Sequence, residues 1–404
     1  MTVVNLPDRV LRPTASISPM TSTRTYRIIM AGGGTGGHLY PGLAVAEALR
    51  AKLGDSVQLI WAATPRPVDQ RLLSAFGSAY VQQSVQPLVK SLGKLWSFWQ
   101  GWKRTCDFWK ADFAARRPDA IVALGGYAAG PAAYIASQMG IPVVLLNPDA
   151  LPGLANRFLL KHADVIVTQW ALAEKYQDGV RGKAVALGCP IRGDLLDRTR
   201  DEAARRLGVD ATLRTLVVTG ASLGAKTIND ALLQLLDEAE FRTPFETNLH
   251  GWQIIHLAGL DQAAAVKAAY AKHPAVRATV LDYCDDMASV WAVADVAIAR
   301  AGASTCAELA ACGVPSILLP YPFHKDMHQK ANALELARAG AACIVDDAKD
   351  AATNAQAVKN ALKPLLYDDD VRHRMAEAAR VAGKPEAAAN IAREILALID
   401  HGTR

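Results

Sequence analysis

The run DVAIARAGASTCAELAACGVPSILLPYPFHKDMHQKAN, from Asp295 to Asn332, decides the fold. Its first residues form a short apolar strand and its last a helix, so its ligand chemistry lies in the turns between them. Arg300-Ala-Gly-Ala303 is a small-residue turn that opens a helix at Ser304 or Thr305. Such a start offers backbone N–H groups and the positive end of a helix dipole to an anion. Glu308 follows one turn later, where a carboxylate can accept two hydroxyl protons at once, as vicinal ribose hydroxyls require. Pro315 to Pro320 reads as a second buried strand, and His324 to Gln329 crowds polar groups onto the next turn. Phosphate at a helix start, ribose on a glutamate and sugar hydroxyls on amide and imidazole groups together suit a nucleotide-sugar.

Working outward, the same unit recurs. Tyr26 to Ala31 (YRIIMA) is a β-run followed by Gly32-Gly-Gly-Thr-Gly-Gly37-His38 and a helical pattern at Leu43, Ala46, Leu49 and Leu53. The letters satisfy GxGxxG, but the next strand, Val57 to Ala63, lacks the closing acidic residue that a dinucleotide-binding domain wants. Strands at Asp119–Gly126, Ile141–Asn147 and Asp164–Gln169 alternate with helices, and Gly125-Gly-Tyr-Ala-Ala-Gly130 forms another small-residue turn at a strand end. A second series begins with Thr215 to Thr219 and Gly220-Ala-Ser-Leu-Gly-Ala-Lys-Thr227, which nearly spells a P-loop but has alanine where that motif needs glycine before lysine. Strands follow at Gln253–Leu257, Ala278–Leu281, Asp295–Ala299 and Pro315–Leu319. Apolar strands separated by helices specify parallel sheets covered on both faces. The expected fold class is α/β, two doubly wound Rossmann-like domains facing across a cleft.

A chain of 404 residues, 51% hydrophobic and 21% charged, can bury two cores of ordinary size. A net charge of +5 without a dense basic run gives no reason to expect nucleic acid. Six cysteines without CxxC spacing read as buried thiols rather than a metal site or disulfides. The first 24 residues read as a loose tail rather than a secretory signal. Lys90 to Arg117 interleaves Trp96, Trp99, Trp102 and Trp109 with lysines and arginines. Two readings stay open for it: an aromatic, basic surface for an anionic membrane interface, or an amphipathic helix whose aromatics fill a core.

The run from Arg300 to Ala333 resembles the donor-binding signature of GT-B glycosyltransferases, and within them the MurG family, which adds N-acetylglucosamine to the lipid-linked peptidoglycan precursor. The resemblance extends from about Arg27 to Ala342. It implies an inverting transferase that uses UDP-N-acetylglucosamine and an undecaprenyl-diphosphate-linked muramoyl-pentapeptide, without cofactor or metal, at the cytoplasmic face of the inner membrane. It implies domains at 25–190 for the acceptor and membrane side and 191–366 for the UDP-sugar, with helices at 367–404 of which one returns to the first domain. Gly33, Gly34, Gly126 and Tyr127 would then meet the acceptor diphosphate. Thr35, Gly36, Gly37, Arg192, Ser222, Ala303, Ser304, Thr305, Glu308 and Gln329 would bind the donor, with the backbone at Cys284 reading the uracil edge. His38 is the candidate general base, against the plainer reading of a histidine that caps its helix or touches only phosphate. Three positions depart from the family pattern. Leu223 and His328 each replace a usual glutamine, and Leu146-Asn-Pro-Asp149 replaces His-Glu-Gln-Asn, leaving Asp149 to accept from the sugar without donating. These departures keep alive a related transferase with another UDP-sugar or lipid acceptor, and a UDP-sugar epimerase. A non-catalytic nucleotide-sugar-binding protein is the reading from a different class.

Overall fold

The structure is a computed structural model, which describes residues 3–4, 24–87, 92–220, 224–246, 251–323 and 326–402. Ser222, His324, Lys325 and most of the N-terminal tail lie outside the described residues. The chain divides into two compact units: one runs to Arg192 and takes back the segment from Glu386 onward, and the other is Gly193–Pro385.

The first unit is built on β1 (Val3–Val4), β2 (Tyr26–Gly32), β3 (Val57–Ala63), β4 (Tyr80–Gln82), β5 (Ala120–Gly125), β6 (Val143–Asn147), β7 (Val165–Thr168) and β8 (Lys183–Val185). They lie in the order β1-β4-β3-β2-β5-β6-β7-β8, parallel throughout except for the antiparallel β1–β4 edge pair. The order reverses between β2 and β5, which places a crevice at their carboxyl ends where open α/β sheets bind ligands. The register between these two strands shifts after Ala31, so that Gly32 pairs with Gly125. That shift brings the two glycine turns of the sequence side by side.

Alternate residues of β2 serve opposite faces. Ile28 and Met30 pack with Leu43 and Leu49 of the Gly36–Leu53 helix and with Ile391, Ile395 and Ile399 of the Ala387–Gly402 helix. Ile29 and Ala31 pack on the other side with Trp109 and Phe113 of the Leu92–Ala115 helix. Both faces being covered explains why these strands read as continuous apolar runs.

The tryptophans of the Leu92–Ala115 helix differ in burial. Trp109 is fully buried, and its indole N–H donates to Gln83 Oε1 at 3.1 Å, while the Gln83 amide donates to the Ala62 and Ala128 carbonyls. Its assignment to a membrane surface is therefore corrected: it fills the core, because its face of the helix points at the sheet. Trp102 is half-buried against Tyr134 and Phe158, lying over Gly130, where any Cβ would come within 2.7 Å of its ring. Trp96 and Trp99, near the helix start, are 68% and 56% exposed.

The second unit carries β9 (Arg214–Thr219), β10 (Trp252–Leu257), β11 (Ala278–Leu281), β12 (Val296–Ala299), β13 (Ser316–Leu318) and β14 (Ala342–Ile344). They run parallel in the order β11-β10-β9-β12-β13-β14, reversing between β9 and β12. The helices Ala351–Tyr367 and Asp369–Ala382 belong to this unit, with Val358, Leu362 and Leu365 in its core. The segment that joins the first unit begins at Glu386.

Candidate functional site

In the first unit the site grows from the end of β2. Gly32, Gly33 and Gly34 have φ values of 153°, 147° and 87°, and Thr35 then starts the Gly36–Leu53 helix without a side-chain cap. The turn is held from below by a residue that sequence reasoning did not single out. Asp69, fully buried, accepts the Gly34 N–H with its two oxygens at 2.8 and 2.9 Å, and also the Thr64 N–H at 2.9 Å and hydroxyl at 2.7 Å. A Cβ on Gly33 would lie 2.2 Å from the same carboxylate, so the residue above it must be glycine. Arg66 donates to the Gly34 carbonyl at 2.8 Å and lies over the Tyr127 ring. The Gly34 N–H and carbonyl are thus both engaged within the turn.

His38 lies one turn into that helix, half-buried, with Nδ1 3.1 Å from Thr35 Oγ1. Gly125 and Gly126, with φ of 96° and 73°, border its ring. A Cβ on Gly125 would meet His38 Cδ2 at 3.2 Å, and one on Gly126 would meet Cε1 at 3.1 Å. Burial pushes the His38 imidazole below its ordinary value of 6.5, opposed by the Asp149 and Asp69 charges and by a hydrogen bond to the Gly33 carbonyl. The net result favours the neutral ring, the form that can take up a proton. Asn156 also borders Gly125. Its amide donates to Asn147 Oδ1 at 2.9 Å, while its own buried Oδ1 has no protein partner. Asp149 is fixed through its carbonyl, which accepts from Asn147 Nδ2 at 2.9 Å. Arg192, the last residue of this stretch, lies over the Tyr40 ring at 5.6 Å.

In the second unit the Ala303–Cys312 helix starts at Gly302 with no side-chain cap. Ala303, Ser304 and Thr305 form its first turn, and Ser304 Oγ is buried with no protein partner. The turn before it is set by Arg300, which donates to the Leu319 carbonyl at 2.9 Å, Asp347 Oδ2 at 2.8 Å and Thr227 Oγ1 at 2.6 Å. Asn332 donates to the Ala301 carbonyl at 3.0 Å, so the turn is braced from both sides. Arg300 and Asn332 are thus buried struts of the turn. Glu308 follows one turn later, and the Trp291 indole N–H donates to its Oε2 at 2.8 Å.

Cys284 precedes the Met287–Val293 helix, whose start is capped by Asp286 accepting from Ser289 N at 3.1 Å. Gln329, in the first turn of the His328–Arg338 helix, accepts the Tyr321 N–H at 2.9 Å, which leaves its amide nitrogen as the donor. His328 is tied to Asp326 through Nδ1 at 2.9 Å. A Cβ on Gly220 would lie 2.0 Å from Ala225 N, so this position admits only glycine. Lys226, the lysine of the P-loop-like letters, instead bonds Asp230 in its own helix at 2.6 Å. Trp291, Asp69 and the Arg300 brace were invisible to motif reading, since each works through a partner distant in sequence.

Comparison with known proteins finds a separate family match in each unit. Residues 28–168 match the N-terminal domain, and residues 215–391 the C-terminal domain, of glycosyltransferase family 28. The chain is 36% identical over 392 residues to a Salinibacter ruber protein named UDP-N-acetylglucosamine–N-acetylmuramyl-(pentapeptide) pyrophosphoryl-undecaprenol N-acetylglucosamine transferase, covering 94% of this chain and 98% of that one. A Thiobacillus denitrificans protein of the same name is 38% identical over 394 residues, covering 92% and 98% respectively. Among solved structures, Acinetobacter baumannii MurG superposes with a TM-score of 0.69 at 28% identity, covering 92% of this chain and 99% of that one. With two α/β units of the GT-B type and a match along nearly its whole length, the chain belongs to the MurG family of N-acetylglucosaminyltransferases, within glycosyltransferase family 28.

Proposed function

We propose that the chain transfers N-acetylglucosamine from UDP-N-acetylglucosamine to the undecaprenyl-diphosphate-linked muramoyl-pentapeptide, making the lipid-linked disaccharide of peptidoglycan synthesis. The near full-length match to relatives of that name carries the reading. The second unit supports it with an uncapped helix start at Ala303 for the UDP diphosphate and Glu308 for the ribose. Gln329 offers its amide to the donor sugar, and the backbone at Cys284 reads the uracil edge. Ser222 and Arg192 complete the donor contacts, as do Thr35 to Gly37, and Asp149 accepts from a sugar hydroxyl. Gly33, Gly34, Gly126 and Tyr127 border the acceptor diphosphate.

The muramoyl 4-hydroxyl attacks the anomeric carbon and inverts it. Its proton passes to His38, and the bond to the β-phosphate oxygen breaks with its electron pair leaving on UDP. Helix starts and backbone donors stabilise that charge. The lipid end of the acceptor keeps the reaction at the cytoplasmic face of the inner membrane. Among the described residues no helix is long and apolar enough to cross a bilayer. Trp96, Trp99 and Leu95 are exposed together, with exposed Lys103 and Arg104 further along the same helix, a composition that seats at an anionic headgroup layer.

Transfer of labelled sugar to the lipid-linked muramoyl-pentapeptide, with UDP-glucose and UDP-N-acetylgalactosamine as competitors, tests the reading. Preferential transfer from UDP-N-acetylglucosamine is expected. UDP binding without transfer to this acceptor overturns it.

A further inference from the structure

The ribose carboxylate does not stand alone. Glu308 lies on the Ala303–Cys312 helix and is half-buried; Trp291 lies on the neighbouring Met287–Val293 helix and is 2% exposed. An indole has a single hydrogen-bonding atom, and here it is spent on Glu308 Oε2 at 2.8 Å. A carboxylate has about four lone-pair positions, and the indole N–H occupies one of those on Oε2. We infer that Trp291 is a positioning residue for nucleotide recognition, holding the Glu308 carboxylate in the orientation that receives the ribose hydroxyls.

The helix that carries Trp291 gives this contact a second consequence. Its N-terminus is pinned by Asp286, which accepts from both Ser289 N at 3.1 Å and Ser289 Oγ at 2.7 Å. Directly before that cap stands the Tyr283-Cys284-Asp285 turn, assigned above to the base edge. One two-turn helix therefore spaces the base-reading turn at one end from the ribose-reading carboxylate at the other. The distance between the two is set by rigid backbone and a buried ring instead of by two independent loops. Uridine is read as one unit, and the indole N–H is the joint that couples its sugar half to its base half.

The inference rests on Glu308 meeting the ribose, and the experiment separates the two claims. Binding of UDP and of 2′-deoxy-UDP to the full chain is measured by titration calorimetry for the wild type, Trp291→Phe and Glu308→Gln. Wild type should bind UDP more tightly than 2′-deoxy-UDP, and Glu308→Gln should reduce that preference. Equal wild-type binding of the two nucleotides, or a preference unchanged in Glu308→Gln, overturns the ribose assignment itself. With that assignment standing, Trp291→Phe should weaken UDP binding about tenfold, the scale of one hydrogen bond to a charged group, and weaken 2′-deoxy-UDP binding less. Equal weakening of both makes Trp291 a packing residue and overturns the inference. Should Trp291→Phe fail to fold, benzothienylalanine at position 291 keeps the ring shape and removes only the N–H, and the same two outcomes apply.

Discussion

Asp69 and Gly34 lie 35 residues apart in sequence, yet both carboxylate oxygens of the first accept the backbone N–H of the second. The glycine turn that presents His38 is therefore a supported surface, and its support is negatively charged. Asp69→Asn would set an amide donor against the N–H groups of Gly34 and Thr64 and the Thr64 hydroxyl. We expect a loss of about 2 kcal/mol in denaturant unfolding, the cost of leaving such buried donors unmet. Turnover should fall as well, since the turn that presents His38 loses its support.

The pH profile should carry the signature of a depressed histidine. A base must be neutral to act, so kcat/KM should rise with pH through the His38 pKa. Burial places that value below 6.5, hence the acid limb should be centred below pH 6.5. The Asp149 charge opposes the shift, so Asp149→Asn should move the limb further toward acid. His38→Ala should lower kcat by about 10²- to 10⁴-fold with UDP binding intact. Turnover within a few fold of wild type would remove His38 from the base role.

The tryptophans of one helix should split into two phenotypes. Trp109→Ala empties a fully buried position and should cost about 3–5 kcal/mol of stability. A Trp96→Ala, Trp99→Ala double variant should leave stability within about 0.5 kcal/mol, because both rings are exposed. That variant should instead lose flotation with anionic vesicles. Flotation equal to wild type would place lipid contact elsewhere.

Arg300 and Asp347 form a buried pair at 2.8 Å, with side-chain exposures of 7% and 0%. Arg300→Ala leaves the Asp347 carboxylate without its cation and should cost about 3–5 kcal/mol by thermal or denaturant unfolding. Donor binding should weaken as well, since the Leu319 carbonyl and Thr227 hydroxyl that frame the turn lose their donor.

Much of this molecule is legible in the sequence because its information is local. YRIIMA followed by glycines and a helical pattern is a strand, a turn and a helix by steric necessity, and the same holds for VAIARAGAS. The strands Tyr80–Gln82 and Ala342–Ile344 were not read, since three residues carry too little periodicity to separate from loop. Asp69 was passed over because an acidic residue in the first turn of a helix is an ordinary feature, and only the folded chain shows its carboxylate turned toward Gly34. Trp291 looks like any core tryptophan until its N–H is seen to meet Glu308. The alanine-rich helices after Asp346 show an apolar face by spacing, but spacing does not say which core the face covers. That is why spacing alone does not assign Asp369–Ala382 to the second unit.

The Ala387–Gly402 helix has a consequence for the order in which the molecule is made. Ile391, Ile395 and Ile399 are buried with Ile28 and Met30, residues synthesised long before them. The first unit emerges early but cannot close its sheet face until these isoleucines have left the ribosome. The second unit, contained between Gly193 and Pro385, meets no such delay and can complete its core while its neighbour waits. A chain stopped short of Ile391 would thus lose the integrity of the half that was translated first.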